Sequence, residues 1–214
     1  MNPSCDPLIA AVIHDAKNAL MALDTRLAEA QRRPASADFA GARATTVRIA
    51  NQLSELLTLY RAHNGQLRLS IDDHDLADFI DDLMAELGPL PAGITLAVDH
   101  TAARTIGAWA FDAYLVRLAL LDALRNTLRQ TSTQVRLTLD KAAHRGICFT
   151  VADDGPGFPE SVLTGMEDVA SVAGSGLGLS FARLIAERHV TPAGQHGRIE
   201  LANGPGATFR LYLP

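Results

Sequence analysis

The fold is decided by the stretch Val151-Ala152-Asp153-Asp154-Gly155-Pro156-Gly157, which joins an apolar strand to a glycine-rich turn. Glycine lets the backbone pass close to a flat ligand. A carboxylate at the end of the strand, that of Asp153, can accept a hydrogen bond from an exocyclic amine such as that of adenine. Asp-Gly and Pro-Gly pairs are also common in plain turns. Taken alone, the stretch leaves a ligand loop and an ordinary turn equally open.

A polar stripe lies upstream, on an apolar helix predicted from Asp112 to Gln130. Asp122, Asn126 and Arg129 occupy positions i, i+4 and i+7, so they share one helix face. Oxygen ligands suit a divalent cation and a guanidinium suits phosphate, so a nucleotide with its metal ion would satisfy this stripe. An ordinary solvent-facing stripe is the alternative.

A second glycine-rich segment lies downstream. It reads Gly174-Ser175-Gly176-Leu177-Gly178-Leu179-Ser180 and leads into a helix predicted to Arg188. Alternating glycines expose successive N–H groups, and the helix adds its positive end, so the segment can cradle a phosphate. It lacks the Gly-Lys-Ser/Thr of a P-loop. A flexible turn into a helix is the alternative.

The first 65 residues have a helical pattern. Two helices are predicted, the second from a cap at Ser36 to about His63, where Asn64-Gly65 ends it. Two helices alone cannot enclose a core, so we expect a homodimer that completes a four-helix bundle. The predicted seams are Ile9, Ile13, Ala16, Leu20, Leu23 and Leu27 on the first helix and Ala50, Leu53, Leu57 and Tyr60 on the second.

After residue 65, strand and helix patterns alternate. Antiparallel runs of strands with interspersed helices predict an α+β sandwich, one sheet covered by helices on one face. A helix is predicted over Leu76–Leu87. The predicted strands are Leu67–Ile71, Ile94–Val98, Val135–Leu139 paired with Ile147–Val151, and Arg198–Leu201 paired with Thr208–Leu213.

Composition excludes several classes of protein. The chain has 214 residues, of which 48% are hydrophobic, so it is not disordered. A net charge of −5 argues against a nucleic-acid partner. No apolar run approaches the roughly 18 residues that span a membrane, and the start lacks a signal peptide, so we expect a cytoplasmic protein. Its two cysteines show no metal spacing.

The order of the three polar motifs points to a family. Residues 122–129, 153–157 and 174–180 resemble the N box, the Asp-x-Gly-x-Gly box and the Gly-x-Gly-x-Gly box of bacterial sensor histidine kinases. Residues 204–214 resemble the closing strand of their Bergerat-type (GHKL) ATP-binding domain. The resemblance implies a dimerisation and phosphoacceptor hairpin over residues 1–65 and an ATP-binding catalytic domain over residues 66–214.

The resemblance also implies ligands and roles. ATP and Mg²⁺ would be the cofactors, with Asn126 and Asp122 as metal ligands. His14 would be the phosphoacceptor, Asp15 would orient or deprotonate its imidazole, and Asn18 would hold a water for dephosphorylating the partner. The nucleotide-binding residues would be Asp122, Asn126, Arg129, Asp153, Gly155, Gly157, Gly174, Gly176, Leu177 and Gly178.

The function that the resemblance implies is that of an ATP-dependent protein-histidine kinase. It would phosphorylate its own His14 and pass the phosphoryl group to an aspartate on the receiver domain of a response regulator. The two domains fill the chain, so we expect its input from a separate upstream sensor or kinase. Asp122 replaces the asparagine that usually begins the N box, and the segment Phe158–Ala173 between the glycine boxes is short. Two alternatives therefore stay open: a histidine phosphotransferase or pseudokinase with a degenerate ATP-binding domain, and a non-catalytic dimeric regulator.

Overall fold

The computed structural model describes residues 15–16, 18–19, 21–23, 25–26, 37–131, 133–142, 146–164 and 177–214. The chain divides into two compact units, of which the first comprises Met1–Leu67 with Asp168–Leu177 and the second comprises Arg68–Glu167 with Gly178–Pro214. No helix among the described residues is long and apolar enough to cross a lipid bilayer.

The first unit contains helical residues from both helices that the sequence predicts. The described residues between Asp15 and Arg26 are helical, and α1 (Ala37–His63) follows. α1 corresponds to the second predicted helix and ends as predicted. Gly65 follows it with a φ of 67° and donates its N–H to the carbonyl oxygen of Ala62 at 3.1 Å. The connection between the two helices, with Ser36, lies outside the described residues, so the hairpin stays a prediction.

The predicted seam of α1 is exposed on the single chain. Leu53, Leu57 and Tyr60 are 49%, 47% and 52% exposed. Large apolar side chains that recur at this spacing on one helix face normally pack against another helix. A partner helix would therefore cover these three side chains.

The second unit combines a five-stranded sheet, a two-stranded sheet and helices. From Arg68 onward the described elements are β1 (Asp72–Asp75), α2 (Leu76–Leu87), β2 (Thr95–Asp99), α3 (Thr101–Ile106), β3 (Ala108–Phe111), α4 (Ala113–Gln130), β4 (Gln134–Ala142), β5 (Gly146–Asp153), α5 (Glu160–Leu163), α6 (Leu177–Arg188), β6 (Arg198–Asn203) and β7 (Ala207–Leu213). This arrangement confirms the predicted α+β class.

The five-stranded sheet has the strand order β2–β4–β5–β7–β6. The pairs β4–β5, β5–β7 and β6–β7 are antiparallel, and the first and last of them are the two strand pairs predicted from the sequence. β2, in contrast, runs parallel to β4, so the sheet is mixed. The chain between these two strands passes through α4, and a helical crossover of this kind returns the chain in its original direction.

The predicted strand over Leu67–Ile71 is wrong. β1 begins at Asp72 instead and pairs antiparallel with β3 in a separate two-stranded sheet. The sequence of β1 is Asp-Asp-His-Asp, and aspartate is depleted in strands, so its local pattern gives no strand signal. β1 is held as a strand by its pairing with β3. The sequence pattern does not predict β3 either.

The core lies on one face of the large sheet. Along β4, Val135, Leu137 and Leu139 are buried, whereas Arg136 and Asp140 on the opposite face are exposed. This alternation is the one expected of a sheet with one packed face. On the packed side, α3 lies against β4 and α4 lies against β5. The packing positions α4, which carries the polar stripe, directly on the strand that ends in Asp153.

A buried histidine joins the end of α6 to the beginning of α4. His189 Nδ1 lies 2.7 Å from the carbonyl oxygen of Ile185, and its Nε2 accepts the backbone N–H of Asp112 at 3.0 Å. A carbonyl can only accept and an N–H can only donate, so His189 is neutral with its proton on Nδ1. Asp112 in turn caps α4 at Leu115 and accepts the N–H of Ser70 at 2.9 Å.

We expect acidification to destabilise the second unit through His189. Burial holds the pKa of His189 below its ordinary value of 6.5, although the hydrogen bond to Ile185 and the nearby Asp112 carboxylate oppose this shift. The unfolded chain therefore binds a proton first as the pH falls below about 6.5, and the free energy of unfolding decreases down to the lowered pKa. Urea unfolding between about pH 7.5 and about pH 5 measures this effect.

The matched variants are His189→Gln and His196→Gln. Glutamine at 189 cannot titrate, so this variant should lose that part of the pH dependence, whereas His196 is exposed and its replacement should preserve it. Parallel pH profiles for the wild type and His189→Gln would contradict the assignment.

Candidate functional site

The polar stripe of α4 forms a hydrogen-bonded row. Asn126 donates its amide Nδ2 to Asp122 Oδ2 at 2.8 Å, and Arg129 donates Nη2 to Asn126 Oδ1. The helix also carries seven buried apolar residues, and two of them, Leu121 and Leu124, are fully buried. The three polar side chains therefore share one face, as their spacing predicts.

The stripe faces the first turn of α6. A Cβ atom placed on Gly178 would overlap the carboxylate of Asp122, so a side chain here would displace that carboxylate from its observed position. Burial raises the pKa of the Asp122 carboxyl group, and the charge of Arg129 and the hydrogen bond from Asn126 oppose that rise. The contact brings two of the three sequence motifs together, because Gly178 belongs to the second glycine-rich segment.

Two backbone N–H groups hold the carboxylate of Asp153. Asp153 Oδ1 accepts from Gly155 at 2.8 Å and from Ala207, at the start of β7, at 2.9 Å. With Oδ1 engaged twice, the orientation of the carboxylate is fixed and Oδ2 is the oxygen left to meet a ligand. The hydrogen bond from an exocyclic amine to Asp153 stays a prediction.

The glycines after Asp153 have separate structural reasons. A Cβ atom on Gly155 would lie 2.5 Å from the carbonyl oxygen of Gln130, so this glycine allows the loop to touch the last residue of α4. Gly157 adopts a φ of 82°, which a residue with a side chain rarely adopts. The loop that follows Asp153 therefore lies at the C-terminal end of the helix that carries the stripe.

Asp154 is a site residue that the sequence analysis missed. Its carboxylate accepts hydrogen bonds from the Thr131 hydroxyl at 2.7 Å, from the Thr133 N–H at 3.0 Å and hydroxyl, and from the Gln134 N–H at 3.1 Å. The hydrogen bonds from Thr133, with those from Thr131 and Gln134, hold the pKa of Asp154 far below its ordinary value. Asp154 ties the Asp153 loop to the chain that leaves α4, and its position after Asp153 was the only signal of this role.

The remaining predicted residues are distributed as follows. Asp15 and Asn18 are helical residues of the first unit, the former partly buried and the latter exposed. Leu177 is buried and begins α6. His14, Gly174 and Gly176 lie outside the described residues. Within the second unit, the structure brings together Asp122, Asn126, Arg129 and Gly178, and it places Asp153, Gly155 and Gly157 at the end of the same helix.

The donor set on α4 suits magnesium better than a metal that needs an all-protein cage. Among the described residues, no group of three or more histidine, cysteine, aspartate or glutamate side chains could hold a metal ion. Mg²⁺ needs only one or two protein oxygens, because waters and substrate phosphates complete its octahedron. The carboxylate of Asp122 and the amide oxygen of Asn126 are oxygens of this kind, and they are adjacent on one helix face.

Comparison with known proteins agrees with this arrangement. The family model described as histidine kinase-, DNA gyrase B-, and HSP90-like ATPase matches residues 111–214. Signal transduction histidine-protein kinase AfsQ2 of Streptomyces coelicolor is 34% identical over 179 residues, which cover 79% of this chain and 31% of that protein. Adaptive-response sensory kinase SasA of Synechococcus is 25% identical over 231 residues, which cover 98% of this chain and 59% of that protein.

A solved structure shows the same fold. The histidine kinase AdeS of Acinetobacter baumannii superposes with a TM-score of 0.59 at 16% sequence identity, covering 94% of this chain and 96% of that chain. The chain spans only 31% and 59% of the lengths of the two curated relatives. Residues 111–214 belong to the histidine kinase-, DNA gyrase B- and HSP90-like ATPase family, and the chain is a homologue of signal-transduction histidine kinases.

Proposed function

We propose that the chain is an ATP-dependent protein-histidine kinase of two-component signalling. One observation carries the proposal: a single helix, α4, contacts both other motifs. Its stripe meets Gly178 at the start of α6, and its last residue, Gln130, meets the loop after Asp153. A nucleotide has a base at one end and phosphates at the other, and this helix lies beside the groups that we propose for each end.

In this proposal, Asp153 accepts a hydrogen bond from the 6-amino group of adenine. The phosphates lie at the positive N-terminal end of α6, beside Gly178 and with Gly174, Gly176 and Leu177 contributing to the cradle. Asn126 and Asp122 would hold Mg²⁺, which neutralises phosphate charge, and Arg129 would meet a phosphate oxygen. The chain's part in catalysis is then positioning and charge neutralisation.

His14 is the proposed acceptor of the γ-phosphoryl group. A lone pair of the neutral imidazole forms the N–P bond, while the bond from the γ-phosphorus to the β–γ bridging oxygen breaks and ADP leaves. Asp15 would orient the ring and take its released proton. An aspartate of a response-regulator receiver domain then accepts the phosphoryl group, and Asn18 would hold the water that later hydrolyses the resulting acyl phosphate.

The chain would act as a homodimer with two domains. We propose that residues 1–65 form the dimerisation and phosphoacceptor hairpin and residues 66–214 the ATP-binding domain. The exposed Leu53, Leu57 and Tyr60 on α1 support a four-helix bundle completed by a second copy, because the bundle would cover them. A cytoplasmic location and input from a separate sensor or kinase remain predictions from the sequence.

Titration and labelling of the purified chain test the proposed function. We expect saturable binding of ATP that weakens when Mg²⁺ is removed, and a phosphoryl label from [γ-³²P]ATP that is labile in acid and stable in base. GTP serves as the control nucleotide, because its 6-oxo group offers Asp153 no donor. Absence of saturable ATP binding would favour the phosphotransferase or pseudokinase alternative, and binding without a label would favour the non-catalytic regulator.

A further inference from the structure

The turn between β6 and β7 touches both ends of the loop formed by residues 153–158, here called the Asp153 loop. At the first end, the N–H of Ala207 donates to Asp153 Oδ1 at 2.9 Å. Gly206 lies so close to Asp153 that a Cβ atom on it would overlap the aspartate. At the second end, the turn reaches Phe158 through the side chain of Asn203. The loop is therefore braced from a part of the chain that is distant in sequence.

The amide of Asn203 makes two hydrogen bonds to one residue. Its Oδ1 accepts the backbone N–H of Phe158 at 2.7 Å, and its Nδ2 donates to the backbone carbonyl of Phe158 at 2.8 Å. A single contact would leave the Phe158 backbone free to rotate about it. Two contacts in opposite directions fix both the position and the orientation of that backbone.

Gly157 fits the same arrangement. It has a φ of 82°, and a Cβ atom on it would lie 2.8 Å from Asn203 Oδ1. The left-handed turn at Gly157 and the amide of Asn203 therefore occupy complementary space. Together they set the direction in which the chain leaves the Asp153 loop.

We infer that Asn203 is a positioning residue of the nucleotide site, an inference that rests on the proposed function. Its clamp on Phe158 keeps the Asp153 loop in the binding conformation before the nucleotide arrives. A loop that is ordered in the free protein loses less conformational entropy on binding than one that must be ordered by the ligand. Asn203 touches no reacting atom and acts through the loop.

The test compares Asn203→Ala with Asn64→Ala in the full chain. Asn64 also donates its amide to a backbone carbonyl, that of Tyr60 at 3.1 Å, but it lies beyond the end of α1 in the first unit. We expect Asn203→Ala to raise the Kd for ATP with Mg²⁺ about tenfold, and Asn64→Ala to leave it unchanged. Asn203→Asp keeps the acceptor for the Phe158 N–H and loses the donor, so its Kd should be intermediate.

Two further measurements separate positioning from folding. Amide hydrogen exchange at Phe158 should accelerate in Asn203→Ala while the amides of β5 stay protected, and Kd is measured where circular dichroism shows each variant folded. If Asn203 were only structural, the unfolding midpoint would fall while the folded protein kept its Kd within about twofold, which would overturn the inference.

The other outcomes are also decisive. If Asn203→Ala does not fold, Asn203→Asp decides, and a wild-type Kd for that variant overturns the inference. If the wild-type chain itself does not bind ATP, the proposed function fails and the role of Asn203 fails with it. Saturable binding by the wild type with no loss in Asn203→Ala removes the positioning role alone.

Discussion

Replacing His14 by glutamine is expected to abolish the phosphoryl label completely, because the label would be carried by the imidazole nitrogen. Glutamine is polar and of similar size, but its amide nitrogen has no available lone pair and cannot attack phosphorus. The helix that the sequence predicts there should persist, because glutamine favours helices at least as well as histidine. The measurement is acid-labile ³²P incorporation from [γ-³²P]ATP, with ATP affinity recorded for the same variant.

His63→Gln is the matched control for this prediction. It makes the same change in the same unit, at the last residue of α1, and it should leave both label and ATP affinity at wild-type values. A label that survives in His14→Gln would show that another residue is the acceptor. Loss of ATP affinity together with the label would show that the substitution disturbs the nucleotide domain instead.

The elements that could be predicted from the sequence are those whose signal is local. α4 is amphipathic, and the polar residues Asp122, Asn126 and Arg129 stand out because they interrupt an apolar helix at helical spacing. The glycine-rich segments can also be recognised from their composition. These features were enough to predict the α+β class, most strands within a few residues, and the helix face that carries the stripe.

The features that the sequence does not reveal depend on contacts between distant residues. β1 is built from poor strand formers and is ordered by β3, which lies more than thirty residues later in the chain. In the sequence, Asp154 resembles an ordinary turn residue. Only the folded structure brings its partners Thr131 and Thr133 beside it. Asn203 likewise belongs to a turn by composition, and only the packed structure shows that its amide holds Phe158, which lies 45 residues earlier. Local patterns cannot specify such pairings, because many turns carry the same residues.

Asp153→Asn is expected to lower the affinity for ATP by about 100-fold and to shift the choice of base. The backbone N–H groups of Gly155 and Ala207 both donate to Oδ1, so an asparagine here must turn its carbonyl oxygen toward them. Its NH₂ group then occupies the place of Oδ2. A donor would face the 6-amino group of adenine, which is also a donor, and a buried pair of donors is unfavourable.

Inosine triphosphate makes the prediction specific, because its 6-oxo group accepts a hydrogen bond where adenine donates one. The ratio of ATP affinity to ITP affinity should therefore fall in Asp153→Asn, even if both affinities decrease. Asp140→Asn provides the control, since Asp140 is an exposed aspartate on β4 and its replacement should change neither affinity. An unchanged ATP-to-ITP ratio in a folded Asp153→Asn variant would mean that Asp153 does not read the base. If the affinities for both nucleotides fall while that ratio stays unchanged, Asp153 acts through the shape of the loop, because a group that contacts the 6-position would distinguish an amino group from an oxo group.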